Sequence, residues 1–300
     1  MTFDALGLGL CAWDRLLLLS RYPGPNQKVE AIGRAEMGGG PVPTALAVFS
    51  RLGGRAAFLG AVGDDAAGEL VRRDLEKYGV DTLQLRTRKG RKTAIATIWV
   101  DAHNGDRTVA LDRGDAEPPR PEELPEALIR RTPRLLLDGR DIPVNLAAAR
   151  WCRESGGTVI LDAGSPRRDL EALLPLTCHA VVSLDFMERT FPGMHIPEAM
   201  FRLQALGPPS VVVTCGAEGG YWREGDHEGN YPAFAVEVVD TTGAGDAFHG
   251  GYLWGLAQGW DMPERCRRAS AVAALVCRDL GGRSRTPVAA EVTELLNRTG

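Results

Sequence analysis

Short apolar runs alternate with longer stretches of helical periodicity through the second half of the chain. The apolar runs occupy residues 135–138, 158–162 and 180–184, and a helical pattern covers 144–154. This alternation is typical of parallel strands joined by crossover helices. Apolar runs at 3–11 and 56–62 predict two further buried strands. The pattern therefore predicts an α/β fold with a mostly parallel sheet.

Other segments predict a smaller sheet. Two β-rich stretches, 94–100 and 108–111, flank Asn104-Gly105, a dipeptide that favours a hairpin turn. A short alternation over residues 29–35 follows a loop rich in turn residues. These segments are expected to form a β-flap beside the main sheet.

The segment from Val238 to Gly251 changes character twice. It begins β-branched at Val238-Val239, is glycine-rich through Gly243 and Gly245, and then becomes an apolar helical run. This order predicts a strand, a tight turn and the start of a helix. The glycines permit positive φ angles and a close approach to a ligand.

The start of that helix is a natural anion site. The first N–H groups of a helix have no partner within it, and the helix dipole adds partial positive charge. The amides of Gly243, Ala244 and Gly245 can converge on one oxygen. Asp246 stands where it can accept a proton from a hydroxyl that attacks a bound phosphate. This pattern indicates phosphoryl transfer; the alternative is a sharp turn with a helix cap.

Composition narrows the class of protein. Of 300 residues, 44% are apolar, which is enough for a full core and excludes disordered and collagen-like chains. The net charge of −4 comes from basic and acidic residues mixed along the chain, without a basic tract. We therefore expect neither a nucleic-acid partner nor a membrane partner.

The cysteines and histidines give little evidence of a functional site. Six scattered cysteines without a Cys-x-x-Cys pair, and the lack of a signal peptide, predict a cytoplasmic protein with reduced thiols. No apolar run approaches the roughly 20 residues of a membrane span. The five histidines lack metal-ligand spacing, so no structural zinc is expected.

The heptad Asp240-Thr241-Thr242-Gly243-Ala244-Gly245-Asp246 resembles the signature of the ribokinase-like (PfkB) carbohydrate kinases. The resemblance extends over nearly the whole chain and implies one kinase domain, residues 1–300. Its fold would be a ribokinase-like three-layer α/β sandwich with a central, mostly parallel sheet. A small β-sheet lid would comprise segments of about 12–36 and 90–114. The implied reaction is phosphorylation of a hydroxyl on a sugar by ATP with Mg²⁺, and Asp246 would be the base.

The resemblance also implies a substrate site built from separated segments. Its expected members are Asp14, Lys28, Gly39, Gly40, Arg107 and Arg140. Asp14 follows the first strand, where a carboxylate can bond two vicinal hydroxyls. The chain departs from the family at Pro43-Thr44, where members usually carry a sugar-binding Asn. Solvent contacts for Lys28 and Arg107, and a surface salt bridge for Arg140, remain alternatives.

Further positions are assigned by the same resemblance. The nucleotide would contact Thr214, Gly216, Gly219, Thr242, Gly243 and Gly245. A glycine-rich hairpin turn is the alternative for the stretch from Thr214 to Gly219. Glu188 is the candidate that handles Mg²⁺ through water, since Asp185-x-x-Glu188 has the spacing of the family's Asn-x-x-Glu segment. The register from the preceding strand instead aligns Ser183 with that Asn. Asp240, Thr242 and Ser284 are candidates for a K⁺ site.

The substrate itself is less defined. Lys28, Arg107 and Arg140 supply more basic chemistry than a neutral ribose requires, so an anionic sugar is one expected class. The pattern looks most like the ketohexokinase-like and sulfofructose-kinase-like branches. A nucleoside kinase and a non-catalytic sugar- or nucleotide-sensing protein are the alternatives. A homodimer formed through the β-lid is expected.

Overall fold

The computed structural model describes residues 2–298. Its strands are β1 (Ala5–Leu8), β2 (Ala12–Leu19), β3 (Ala31–Gly39), β4 (Ala56–Gly63), β5 (Leu85–Arg88), β6 (Ala94–Asp101), β7 (Arg107–Asp112), β8 (Arg134–Leu137), β9 (Thr158–Ala163), β10 (His179–Ser183), β11 (Ser210–Thr214), β12 (Gly220–Glu224) and β13 (His227–Tyr231). Its α-helices are α1 (Pro41–Arg51), α2 (Ala66–Lys77), α3 (Glu126–Arg131), α4 (Ile142–Glu154), α5 (Leu184–Thr190), α6 (Ile196–Ala205), α7 (Ala244–Gln258), α8 (Met262–Val276) and α9 (Ala289–Arg298).

The larger sheet has the strand order β13-β12-β11-β10-β9-β8-β1-β4-β5. The seven strands from β11 to β5 in this order pair in parallel, whereas β12 and β13 are antiparallel additions at one edge. Crossover helices connect the parallel strands, as the alternation of apolar runs predicted. The predicted mostly parallel sheet is confirmed.

Both faces of this sheet are covered because its buried strands are apolar on both sides. On β10, Val181 packs into the core formed with α1, α7 and α8. Its neighbours Ala180 and Val182 point the other way, into the core formed with α3, α4, α5 and α6. The protein therefore has three layers, helix, sheet and helix.

The smaller sheet has the order β3-β2-β6-β7 and a small apolar core that includes Leu16, Met37 and Ile98. We call it the lid. The predicted hairpin is present, with Gly105 at a φ of 74° between β6 and β7. Strand β3 runs to Gly39, three residues past residue 36, where the first lid segment was expected to end. Gly40, with a φ of 98°, then turns the chain directly into α1.

The predicted strand at Val238-Val239 is wrong. The segment is irregular, and Val238 is 45% exposed. The N–H groups of Val239 and Asp240 both bond the carbonyl of Cys277, at 2.8 and 3.2 Å, instead of a neighbouring strand. Helix α7 begins at Ala244, so Asp246 lies in its first turn.

The six cysteines are all free thiols, and five of them are buried. Within residues 2–298, no helix combines the length and apolar character needed to cross a bilayer.

Candidate active site

Asp240 ties the glycine-rich turn to a distant loop. Its buried carboxylate accepts hydrogen bonds from the backbone N–H groups of Thr242 and Gly281, each at 2.8 Å. Gly243 lies in the left-handed region, with a φ of 77°. A Cβ at this position would lie 2.5 Å from the Cα of Gly282, so only glycine fits. The turn and the loop therefore pack backbone against backbone.

Two amides at the start of α7 are available to a ligand. Across residues 2–298, no described acceptor bonds the N–H of Gly243 or that of Gly245. The N–H of Ala244 instead donates to the carbonyl of Thr241 at 3.2 Å. Available N–H groups at a helix N-terminus attract an anion. The predicted anion hole thus has two available donors and one shared donor.

Asp246 lies beside these amides in the first turn of α7. Burial, followed by the negative charge of Asp162, raises the pKa of its carboxyl to about 6, while His249, Arg107 and Arg283 act to lower it. Such a group is ionised at neutral pH but binds a proton more firmly than an exposed aspartate. The carboxylate is therefore suited to accept a proton from a hydroxyl.

Asp14 approaches the same site from the lid. It lies on β2, and a Cβ at Gly39 would lie 2.0 Å from its Oδ1 atom. Burial raises the pKa of Asp14 to about 7; Arg283 opposes this, and the charges of Asp246 and Asp74 add to it. Because the charge of Asp246 acts on Asp14, the structure brings the two carboxylates to one site between lid and helix.

Sequence reasoning missed Arg283, a cation close to both carboxylates. Its side chain is fully buried and pairs with Asp74 of α2 at 2.7 Å. The guanidinium also donates to Oγ1 of Thr44 at 3.1 Å and to the carbonyl of Gly39 at 3.1 Å. Thr44 follows Pro43, at the place where the family usually has Asn, and its hydroxyl is thus bonded to Arg283. No local pattern could identify Arg283, because Asp74 lies 209 residues away in the chain.

The structure places Arg107 against the glycine-rich turn and leaves Lys28 exposed to solvent. Arg107 begins β7, and its Nη1 donates to Oγ1 of Thr241 at 3.2 Å. Thr241 donates in turn to the carbonyl of Gly105 at 2.9 Å, so the lid hairpin contacts the glycine-rich turn. Lys28 is exposed in the loop between β2 and β3. The described part of the chain shows no hydrogen bond or ion pair that joins Lys28 to the site.

Arg140 lies beside a cavity of about 340 Å³ at the carboxyl ends of β1 and β8. Its Nε atom is 3.4 Å from Oδ2 of the buried Asp138. Arg113 lines the same cavity. Arg167 donates to the carbonyl of Asp138 at 2.8 Å, and burial, with the charges of Arg140 and Arg113, lowers its pKa. Three arginines converge here, of which sequence reasoning found only Arg140.

The predicted nucleotide loop connects β11 to the antiparallel strand β12, so it is also a tight hairpin connection. Gly216 and Gly219 have positive φ angles of 58° and 81°. A Cβ at Gly219 would lie 2.1 Å from the carbonyl oxygen of Tyr231, whereas one at Gly216 meets open space. Thr214 ends β11, and its Oγ1 donates to the carbonyl of Val182 at 3.4 Å.

Glu188 is exposed on α5, which begins at the carboxyl end of β10. Burial, followed by the charges of Glu218 and Glu188, raises the pKa of Cys215 to about 11. Glu188 therefore lies near the nucleotide loop. Ser183, the other residue that fits the family segment, caps α5 by accepting the N–H of Phe186 at 3.1 Å.

The residues expected to bind K⁺ differ in their environment. Both carboxylate oxygens of Asp240 accept backbone N–H groups, and Ser284 is exposed and donates to the carbonyl of Leu280. Oγ1 of Thr242 is buried and has no hydrogen-bond partner among the described residues. Within residues 2–298, no three His, Cys, Asp or Glu residues are grouped to hold a metal ion.

Known proteins share this chain's pattern over its length. A sequence model described as pfkB family carbohydrate kinase matches residues 18–289. The chain is 30% identical to the ATP-dependent ribose-1-phosphate kinase of Halopiger xanaduensis, over 97% of each protein. It is 26% identical to the ribokinase of Bacillus subtilis, over 97% of this chain and 98% of that one.

Solved structures share the fold. The crystal structure of a candidate ribokinase from Agrobacterium tumefaciens has a TM-score of 0.91 at 28% identity, covering 100% of this chain and 99% of that one. Arabidopsis thaliana ribokinase, complexed with ribose and ATP, has a TM-score of 0.84 at 24% identity over 99% of each chain. The ribokinase-like α/β fold with a smaller sheet is confirmed, and so is the kinase class. The ketohexokinase- or sulfofructose-kinase-like branch stays a prediction. Since the family pattern covers most of its length, the chain belongs to the pfkB family of carbohydrate kinases.

Proposed function

We propose that this protein transfers the γ-phosphoryl group of ATP to a hydroxyl of a sugar or sugar derivative. One observation supports this most: the charge of Asp246, beside two available amides, acts on Asp14 across the space between α7 and the lid. A hydroxyl held there meets a base and an anion hole together. The ribokinase and the ribose-1-phosphate kinase among the relatives support the same reaction class.

Asp246 accepts the proton of the attacking hydroxyl while that oxygen bonds the γ-phosphorus and the bond to the ADP oxygen breaks. The amides of Gly243 and Gly245, with a share from Ala244 and the α7 dipole, stabilise the charge that develops on the transferred group. Asp14 orients the sugar by accepting hydrogen bonds from its hydroxyls. The lid excludes water and so limits hydrolysis of ATP.

The nucleotide binds along the loop of Thr214, Gly216 and Gly219, with its phosphates towards Thr242 and α7. When bound, Mg²⁺ would supply positive charge that offsets the negative charge of the phosphates. Glu188 fits as its protein ligand through water, because Mg²⁺ in kinases keeps several waters and uses one or two carboxylates. Its exposed position near the nucleotide loop supports this role.

A K⁺ site at Asp240, Thr242 and Ser284 belongs to the same proposal. The buried hydroxyl of Thr242, which no described residue bonds, supplies a spare oxygen ligand next to the anion hole. Measuring ADP release in K⁺ and in tetramethylammonium tests it: equal rates would reject the site.

The more specific part of this proposal is that the substrate carries an anionic group. We call Arg113, Arg140 and Arg167 the arginine cluster. Arg113 and Arg140 line the cavity of about 340 Å³, and Arg167 lies near them, since their charges act on it. Neither Asp14 nor Asp246 lines this cavity. One wall is formed by residues 8–10, shortly before β2 with Asp14, so the cavity adjoins the sugar site. Arginines bind sulfonate, phosphate or carboxylate groups with bidentate, charge-assisted hydrogen bonds.

We extend the proposal to a homodimer formed through the lid. Strand β7 is the edge of this sheet, and all six of its residues are exposed. Val109 and Leu111 are 50% and 37% exposed, and an exposed apolar edge strand favours pairing with another chain. Sedimentation of wild type and of Val109→Lys tests this: a wild-type monomer at micromolar concentration would reject the dimer.

ADP release with a panel of matched substrates tests the proposed function. Each pair has one skeleton in a neutral and an anionic form, such as ribose and ribose 1-phosphate. We expect turnover with both and a kcat/KM at least about tenfold higher for the anionic member. Equal values would reject the anionic substrate but keep the kinase. Binding of ATP and a sugar by calorimetry without any ADP release would instead support the sensor alternative.

A further inference from the structure

His249 follows Asp246 by three residues on α7, and it is buried, with an exposed fraction of only 6%. Its Nδ1 lies 2.8 Å from the carbonyl oxygen of Gly245. Its Nε2 lies 3.2 Å from the carbonyl oxygen of Val181 and 3.6 Å from Oδ1 of Asp162. Each ring nitrogen therefore faces oxygen atoms that can only accept a hydrogen bond.

A neutral imidazole cannot satisfy this environment. It has one N–H and one nitrogen lone pair, and the lone pair would face a carbonyl oxygen across a hydrogen-bond distance. The protonated ring donates from both nitrogens and satisfies both carbonyls. The contacts of His249 thus select the cationic form of the ring.

The surroundings of Asp162 favour such a cation. Its side chain is 6% exposed at the carboxyl end of β9, and among the described residues its Oδ2 has no hydrogen-bond partner. Asp162 stands opposite Val181 in the β9–β10 ladder, so one ring nitrogen of His249 reaches both strands. A buried carboxylate without a counter-charge is costly, and the imidazolium supplies that charge together with Arg167, whose guanidinium also interacts with Asp162.

The contact with Gly245 also reaches the first turn of α7, where Asp246 lies. The carbonyl of Gly245 and the N–H of Asp246 are two ends of one peptide group. An N–H donated by His249 to this carbonyl polarises the peptide and strengthens its N–H as a donor. His249 therefore affects the first turn of α7 in two ways, through this hydrogen bond and through its positive charge.

We propose that His249 is a cationic positioning residue, which pairs with Asp162 and sets the charge and orientation of the base Asp246. This inference rests on the proposed function, in which Asp246 takes the hydroxyl proton. The charged groups that act on Asp246 are Asp162 from β9, His249 from its own helix, Arg107 from the lid hairpin and Arg283 from the loop after α8. Asp14 faces it from β2.

The pH profile of kcat/KM tests the proposal with two variants of opposite sign. His249→Asn removes a positive charge, so the acid limb should move to higher pH by roughly half a unit to one unit. Asp162→Asn removes a negative charge and should move the limb to lower pH. His179→Asn is the control, because this buried ring contacts Tyr252 instead. A purely structural role would lower kcat without moving the limb, and that result would overturn the proposal.

Nitrogen NMR of the ¹⁵N-histidine-labelled wild type gives a readout that needs neither turnover nor a fully stable variant. We expect both ring nitrogens of His249, assigned by the loss of its signals in His249→Gln, to carry protons at neutral pH. A bare nitrogen would overturn the proposal. If Asp246→Asn keeps its kcat, the proposed base fails whatever the state of His249. If Asp246→Asn loses activity while the acid limbs stay in place, this inference alone fails.

Discussion

The glycine-rich turn of residues 240–246 and the arginine cluster are built by different means. The turn is held by backbone contacts: Asp240 bonds two N–H groups, and Gly243 packs against the Cα of Gly282. The arginine cluster comes from three separate segments, and two of its side chains, Arg140 and Arg167, contact the buried Asp138. The turn therefore tolerates almost no substitution, whereas the residues of the arginine cluster can be exchanged one at a time.

This difference separates chemistry from substrate choice. Backbone amides provide the same anion hole whatever sugar is bound, and they change only if the turn itself changes. Side chains that line a cavity can be exchanged without a change in the fold. Substitutions in the turn should therefore affect every substrate, and those in the arginine cluster should discriminate between substrates.

The largest effect is expected from Asp246→Asn. The variant should fold and bind ATP, but kcat should fall by about 10²–10⁴ for neutral and anionic sugars alike, because proton acceptance is lost while the amides remain. Steady-state kinetics and calorimetry measure the two quantities. A kcat within a few-fold of wild type would contradict the role of Asp246 as base.

Gly243→Ala should come next. A Cβ here meets Gly282 at 2.5 Å and demands a φ of 77°, so the turn must shift and one donor is lost. We expect kcat to fall by about 10²–10³ and the melting temperature to drop by several degrees. Gly245→Ala is the matched control for stability, since its Cβ meets open space. Equal melting temperatures of the two variants would refute the packing argument.

Arg140→Ala should have a smaller and selective effect. The loss of charge-assisted hydrogen bonds should lower kcat/KM for an anionic sugar by about 10- to 100-fold and leave its neutral counterpart nearly unchanged. Arg150→Ala, an exposed position on α4, is the control. An equal loss on both sugars would show that Arg140 does not bind the anion.

The smallest effect concerns stability in Asp14→Asn. Because the pKa of Asp14 is raised from 3.8 to about 7 in the folded protein, its ionisation opposes folding fully above pH 7 and less as the pH falls towards 4. The variant should melt about 5 °C higher at pH 8, with a smaller gain at pH 5. Its KM for the sugar should rise while ATP affinity stays constant. A gain independent of pH would contradict the cause given for the raised pKa.

The sequence predicted those parts of the protein that local patterns encode. Glycine spacing located the turn and Asp246, and alternating apolar runs located the parallel strands. The strand at Val238-Val239 was predicted wrongly, since β-branched residues mark extended backbone but not the partner that makes a strand. Arg113, Arg167 and Arg283 were missed because the residues around them come from distant parts of the chain, which only the fold brings together.

Arg283 also limits how this enzyme can be re-engineered. Its guanidinium joins the loop after α8 to α2 through Asp74 and to the lid strand through Gly39. Removing one member of a buried ion pair costs about 3–5 kcal/mol, whereas replacing both with well-packed apolar residues can be neutral. A loop transplanted from a relative will therefore succeed only when position 74 is exchanged with it, and libraries that vary residues 281–284 alone will consist mainly of unstable variants.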